Sequence, residues 1–394
     1  VIGRVRSGAV ALGCVLLAAC AGTPSPPRYP EASWSAGTDG VATPTVSDAG
    51  PTGAGASCTP GEGFSSAAAA NSWMGGLDGL PGWRSADVGV SVPLSDGRVV
   101  WVFGDTGRAA GFTPRMVSSS ALVTDGNCTS QWTSAADGPF LPNEPGSVCW
   151  PSSMVARKVG SADQVLVACS RVRRGSGHGL FDFTYLGMSL VRFEVSPGKV
   201  STVPEGHTVT PDRDDSRQVN WGAAMVLDQG WVYLYGSQQG ESQFGARRLA
   251  VARTTWEAAS DQRTWTFWNG RTWSSSANDA QPVIDRNPGV SQALTVHQVN
   301  GKFVAVSKKG GDLSDTVAVW SAPSPTGPWT VVHEHRMPYD AGNSVVTYQP
   351  LAHPQIRLAS GQLLVSVSRN PKDLQRVLAE PNLGRPTFIE MPTP

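Results

Sequence analysis

The stretch Asp87-Val-Gly-Val-Ser-Val-Pro-Leu-Ser-Asp-Gly-Arg-Val-Val-Trp-Val-Phe-Gly-Asp105 decides the fold. Alternating apolar and small residues flank the turn-forming triplet Ser95-Asp96-Gly97, so the stretch reads as a β-hairpin. If the triplet is a three-residue loop, Leu94 pairs with Arg98 and residue numbers across the antiparallel ladder sum to 192. That register sets Asp87 opposite Asp105, with two carboxylates at the open end of one hairpin.

The same pattern recurs downstream. A short run, a turn and a second β-rich run ending in small or polar residues appear at Trp150–Arg171, Trp221–Ser237, Ser291–Lys308 and Tyr348–Arg369. The five copies end at 105, 171, 237, 308 and 369, with spacings of 66, 66, 71 and 61 residues. Each period holds further strand-like segments, such as Met116–Val123, Gly187–Val195, Arg247–Arg253 and Thr316–Ser321. Three or four strands per unit, repeated five times, predict an all-β chain folded as a five-bladed β-propeller. An array of β-sandwiches is the rival, but about 66 residues per unit is short for one. Pro93, Pro151 and Pro350 fall in the first strand of a unit, which lines the central channel as a sheet edge and tolerates a missing N–H.

Composition agrees. Of 394 residues, 44 are Gly, 30 Pro and 14 Trp, a balance favouring strands and turns. Lys and Arg number 31 against 31 Asp and Glu, and 16% of residues are charged. No nucleic-acid footprint is expected from such a surface.

Residues 1–20, VIGRVRSGAVALGCVLLAAC, read as a secretory signal: Arg4 and Arg6, a short apolar run, then Leu17-Ala-Ala-Cys20. The last four residues resemble a bacterial lipobox, with Cys20 as the lipid acceptor. An ordinary signal peptide ending near a Cys is the alternative. Residues 21–57, rich in Pro, Gly, Ser, Thr and Ala, predict a disordered tether, and the folded domain spans 58–394. The protein is thus expected outside the cytoplasm, attached to the membrane through a lipid anchor only, as a monomer. Cys58, Cys128, Cys149 and Cys169 predict two disulfides with connectivity left open. Their spacing matches no zinc motif, and neither metal nor cofactor is expected.

Carboxylates facing each other across a strand pair suit the short separation of a retaining glycosidase, and like charges that close split their pKa values. Two other readings stay open: Asp105 capping a turn beside a solvated Asp87, and a calcium site using both. The register also gathers the loops Thr106–Pro114, Arg171–Thr184, Gln238–Gly245 and Gly310–Asp315 at that mouth. Arg171, Lys308 and Arg369 end their strands there, and Asp212, Asp214 and Asp215 lie just ahead of the third inner strand. Trp150, Arg171, Trp221, Lys308 and Arg369 are the expected substrate-binding residues, since sugars offer hydroxyls to charges and apolar faces to aromatic rings. Gly175-Ser-Gly-His-Gly179 matches no phosphate-binding fingerprint and is expected to be a flexible lip.

Several of these stretches resemble a known family. Asp87-Val-Gly, Asp96-Gly-Arg98, Trp101-Val-Phe-Gly-Asp105-Thr106, Trp150-Pro151, Trp221-Gly-Ala223, Val232-Tyr-Leu-Tyr-Gly236 and Pro325-Thr-Gly-Pro-Trp329 resemble actinobacterial proteins classed as domain of unknown function 4185. The resemblance runs from about Trp83 onward. It implies a five-bladed propeller glycoside hydrolase of the endo-D-arabinanase type, cutting arabinogalactan or lipoarabinomannan of the cell envelope with retention. It also implies catalysis by Asp87 and Asp105, with Asp87 as nucleophile and Asp105 as acid/base, or the reverse. Gly107-Arg108 after Asp105-Thr106 departs from that family's aromatic-rich loop and leaves the glycan open. A non-catalytic carbohydrate- or protein-binding propeller is the alternative.

Overall fold

The hairpin forms in the expected register. Strands Ser85–Pro93 and Val99–Gly107 pair through Pro93↔Val99, Val92↔Val100 and Val90↔Val102, and again through Ala86↔Thr106 and Ser85↔Gly107. Leu94 donates its N–H to the Arg98 carbonyl, and Gly97, at φ 93°, makes the turn that only glycine adopts without strain.

This is a computed structural model, and it describes residues 46–49, 61, 63–134, 138–175, 182–196, 199–200, 204–373 and 375–394. Strands make up 51% and helix 8% of it, arranged as a five-bladed β-propeller. The blades are five antiparallel sheets. Their inner strands are Ser85–Pro93, Val148–Val159, Val219–Asp228, Thr295–Val299 and Val345–Ala352, each at the edge of its sheet. Pro93, Pro151 and Pro350 lie on three of them.

Apolar faces of neighbouring blades bury each other in five clusters, one per joint. Val90 and Val102 pack with Val165 and Val167 between blades 1 and 2, and Leu166 and Met188 with Leu234 and Ala250 between blades 2 and 3. Tyr235 and Val251 meet Phe303 and Trp320, and Val306 and Val317 meet Val365 and Val367. The fifth joint closes the ring. There Trp101 and Phe103 of blade 1 share a core with Leu364 and Phe388 of blade 5 and with Phe64, Ala70 and Met74 around the helix Ala67–Gly75. Asn71 bonds both the N–H and the carbonyl of Phe388, so this helix holds the outer strand of blade 5.

Inner strands meet around a narrow channel lined by Val90, Ser153, Ala224, Thr295 and Leu351, one residue per blade, with their successors. Polar groups fill its middle. His353 bonds Ser91 Oγ and Ser366 Oγ through its two ring nitrogens, at 2.6 and 2.8 Å, and burial pulls its imidazole down to about 3.

Cys149 and Cys169 form a disulfide across the first two strands of blade 2, and Cys128 is also disulfide-bonded. The predicted signal peptide, Cys20 and most of the predicted tether lie outside the described residues, as do residues 176–179 of the predicted lip. Within the tether span, Val46–Ala49 is a strand paired with Gln131–Ser134. Among the described residues no helix is long and apolar enough to cross a membrane.

Candidate active site

Three residues upstream of the channel-lining set, the five inner segments carry Asp87, Trp150, Trp221, Gln292 and Tyr348. These positions share one level at the channel mouth. Just after it, four blades carry register shifts: around Val88, between Pro151 and Ser153, between Trp221 and Ala224, and between Tyr348 and Pro350. Bulges re-aim side chains, and here they do so at one ring of positions. Val88 (φ 66°), Gly222 (φ 80°) and Gln349 (φ 45°) take the left-handed backbone these bulges need. For a β-branched valine that is a strained conformation, held beside Asp87 by a bond from its N–H to Ser368 Oγ of blade 5 (2.9 Å).

The bulges interrupt the pairing between Asp87 and Asp105 without separating them. Asp87 leans over Gly104, where a Cβ would lie 2.4 Å from its Oδ1, so a side chain at residue 104 would displace the carboxyl. The Asp105 N–H donates to the Asp87 carboxylate. Tyr348 donates its hydroxyl to Asp87 Oδ2 at 2.7 Å and receives the side-chain N–H of Asn370 at 2.5 Å. Burial pushes the Asp87 carboxyl up to about 7; Asp105 adds to the rise, while Tyr348, Arg174 and the Asp105 N–H act against it.

Asp105 has different company. Trp150 Nε1 donates to its Oδ1 at 3.0 Å, and Arg174 reaches both oxygens, with one contact at 3.0 Å to Oδ2. Three N–H donors match the acceptor-only demands of an ionised carboxylate. Arg174 also lies 5.5 Å above the Trp150 ring, whose edge contact with Phe183 is 4.9 Å. Thr106 Oγ1 holds the strand end through the Gly104 carbonyl and Ser120 Oγ.

Other predicted residues divide. Trp150 stands beside the pair. Trp221 holds the same repeat position but is 4% exposed, packed against Trp265 and Phe267; its two-residue bulge at Gly222 turns the ring into the core, which corrects the expectation that it lines the groove. Arg171 is 1% exposed and spent on Asp212, Glu144, Ser189 and the carbonyls of Met188 and Thr210, a bracing role rather than a free cationic end. Lys308 is likewise buried, donating to Thr347 Oγ1 at 3.0 Å and to the Ser314 carbonyl; burial pulls its ammonium down to about 8 against the attraction of Asp315. Arg369 is half-buried, opposite Thr347 and within the field of Asp340. Asp214 pairs with Arg173 and Asp215 with Arg217 on exposed loops. No cluster of three or more metal-ligating side chains occurs among the described residues.

The mouth is also where the blades are tied together. Trp150 to Asp105 joins blades 1 and 2, Ser170 Oγ to Asn220 Oδ1 (3.2 Å) blades 2 and 3, and Ser237 Oγ to the Gln292 carbonyl (2.7 Å) blades 3 and 4. Lys308 to Thr347 joins blades 4 and 5, and Tyr348 to Asp87 closes the circle.

Sequence reasoning missed Tyr348, Asn370 and Arg174. The signal for Tyr348 was present, because it heads the fifth repeat copy as Asp87 heads the first.

A candidate hydrolase from Bacteroides ovatus has a similar solved structure, with a TM-score of 0.56, 17% identity, and coverage of 79% of this chain and 86% of that one. The GH43_1 enzyme of Xanthomonas citri solved with xylose (TM-score 0.42, 15% identity, 82% and 93% covered) overlaps more loosely. So does an α-L-arabinofuranosidase of Lactobacillus brevis (TM-score 0.45, 10% identity, 79% and 91% covered). At these identities the likeness is one of fold. No curated protein matches the sequence. The family whose model matches is numbered differently from the one the sequence motifs resemble. Residues 77–392, the hairpin and all five blades, match domain of unknown function 5005, and the chain belongs to that family.

Proposed function

We propose that the protein is a retaining glycoside hydrolase that cuts an envelope polysaccharide, of the endo-D-arabinanase type, through Asp87 and Asp105. The observation that carries this reading is the unequal surroundings of two adjacent carboxyls: one desolvated and pushed up to about 7, the other ion-paired with Arg174. Pairs whose environments push them apart divide the work of acid and nucleophile.

The environments favour roles opposite to the first assignment from sequence. Asp87, protonated up to about pH 7, is the acid/base, and Asp105 is the nucleophile. An Asp105 oxygen attacks the anomeric carbon while the bond to the leaving oxygen breaks and Asp87 gives that oxygen its proton. Asp87 then takes a proton from water, whose oxygen attacks the same carbon and frees Asp105. Trp150, half-buried beside the pair, offers aromatic surface for the sugar's apolar face. The shared fold with the Bacteroides ovatus candidate hydrolase is consistent with this chemistry. In the same reading the enzyme works outside the cytoplasm, tethered through Cys20. The Cys149–Cys169 disulfide fits an oxidising compartment.

Incubation with a 2-fluoro arabinofuranoside, which slows release of the intermediate, tests the roles. Mass spectrometry is expected to find the sugar esterified to Asp105. A label on Asp87 would reverse the assignment, and inverted product configuration would remove the covalent step.

A further inference from the structure

We propose that Tyr348, oriented by Asn370, is a positioning residue that fixes the Asp87 carboxyl by donating its hydroxyl hydrogen to Oδ2. The inference rests on the functional reading only for its effect on rate; the contact itself is a property of the fold. Asn370 gives the phenol oxygen an N–H and so leaves the phenol's own hydrogen to Asp87, which fixes the direction of the 2.7 Å bond. Tyr348 is 8% exposed, and the bulge at Gln349 aims it from blade 5 into blade 1, so water is a poor substitute for it. The residue two positions along from Asn370 on its strand, Ser368, holds the Val88 N–H. Blade 5 therefore grips both the carboxyl of Asp87 and the strained peptide that follows it.

The titratable and charged groups that bear on Asp87 are Asp105 from its own hairpin, Arg174 from blade 2 and Tyr348 from blade 5. Burial and the nearby carboxylate hold the phenol well above its usual range, so it stays a donor throughout the working pH. Losing that donor removes a bond that favours ionised Asp87, and the carboxyl must then ionise at higher pH.

The test is a ¹³C NMR titration of the aspartate carboxyl carbons in the full chain, with the Asp87 resonance assigned by its absence in Asp87→Asn. In Tyr348→Phe, which keeps the ring, the Asp87 midpoint is expected to rise by about 0.5–1 pH unit, the equivalent of one ordinary hydrogen bond. In Asn370→Ala, which leaves the phenol undirected, it is expected to rise by less. An unchanged midpoint in a folded Tyr348→Phe protein overturns the proposal, whether or not the wild type cleaves any glycan. If Tyr348→Phe does not fold, Asn370→Ala decides: a rise supports the proposal and an unchanged midpoint overturns it. Where the wild type is active, the same variant is expected to carry the alkaline limb of its pH–rate profile upward with Asp87. Activity absent from the wild type defeats the glycosidase reading and leaves the titration result standing.

Discussion

Replacing Gly104 by alanine tests whether the mouth is built around the position of one carboxyl. Its backbone lies outside the left-handed region, so alanine meets no conformational barrier there. The new Cβ would lie 2.4 Å from Asp87 Oδ1 and 3.0 Å from Val88 Cγ2, while ordinary contact begins at 3.4 Å. Asp87 must therefore retreat by about 1 Å, because Val88 is pinned by Ser368 and the opposing strand by Thr106. Overpacking at such a site costs about 1–3 kcal/mol, which a propeller with five inter-blade cores survives. Misplacing a reacting group by ~1 Å costs ~100-fold in rate. The assay is release of reducing ends from arabinogalactan by wild type and Gly104→Ala, with circular dichroism and thermal melting as the check on folding. A drop of about two orders of magnitude in kcat with a cooperative melt is expected. A folded Gly104→Ala protein with wild-type kcat would refute the idea that Asp87 works from its place over Gly104.

Further outcomes follow from the same contacts. Asp87 ionises near 3.8 when unfolded and near 7 when folded, so its protonated form stabilises the fold fully below 3.8, and that contribution is lost as pH rises through 7. Asp87→Asn should consequently be more stable than wild type at pH 8, by on the order of 1–3 kcal/mol, and gain less at pH 4, as read by urea denaturation at the two pH values. Trp150→Phe keeps a ring beside Phe183 but loses the bond to Asp105; about tenfold lower kcat with a melting temperature within a few degrees of wild type is expected. Trp221→Ala should do the reverse, losing about 3–5 kcal/mol of stability while keeping kcat at temperatures where it stays folded.

Much of the fold is legible because local chemistry fixes it. Ser95-Asp96-Gly97 allows one loop length, that length sets the register, and the register recurs every 61–71 residues. The bulges are not legible, since they arise where strands converge on the channel and must twist away from it. Trp150 and Trp221 show the cost. Both head a repeat copy, yet Pro151 follows one and Gly222, at φ 80°, follows the other; the first ring stays at the mouth and the second folds into the core. Arg171 and Lys308 misled for a related reason. Lys308 does end its strand, whereas the strand of Arg171 runs on to Arg174; both long side chains turn to nearby polar groups, Arg171 to the Thr210 carbonyl beside its own blade and Lys308 to Thr347 Oγ1 of the next, which no spacing reveals. The acid pair was visible because both members lie on one hairpin. Tyr348 lies 261 residues from Asp87 and reaches it only because the ring closes, while Arg174, 69 residues from Asp105, comes in with the packing of blade 2 on blade 1.

The central claim is that Asp87 and Asp105 cleave glycosidic bonds. Product analysis on purified arabinogalactan and lipoarabinomannan, with wild type, Asp87→Asn and Asp105→Asn compared side by side, tests it most directly. The wild type should release oligosaccharides whose new reducing ends keep the anomeric configuration of the substrate, and both folded variants should release none. Glycan binding by the wild type without any product, or full activity in either variant, would contradict the account.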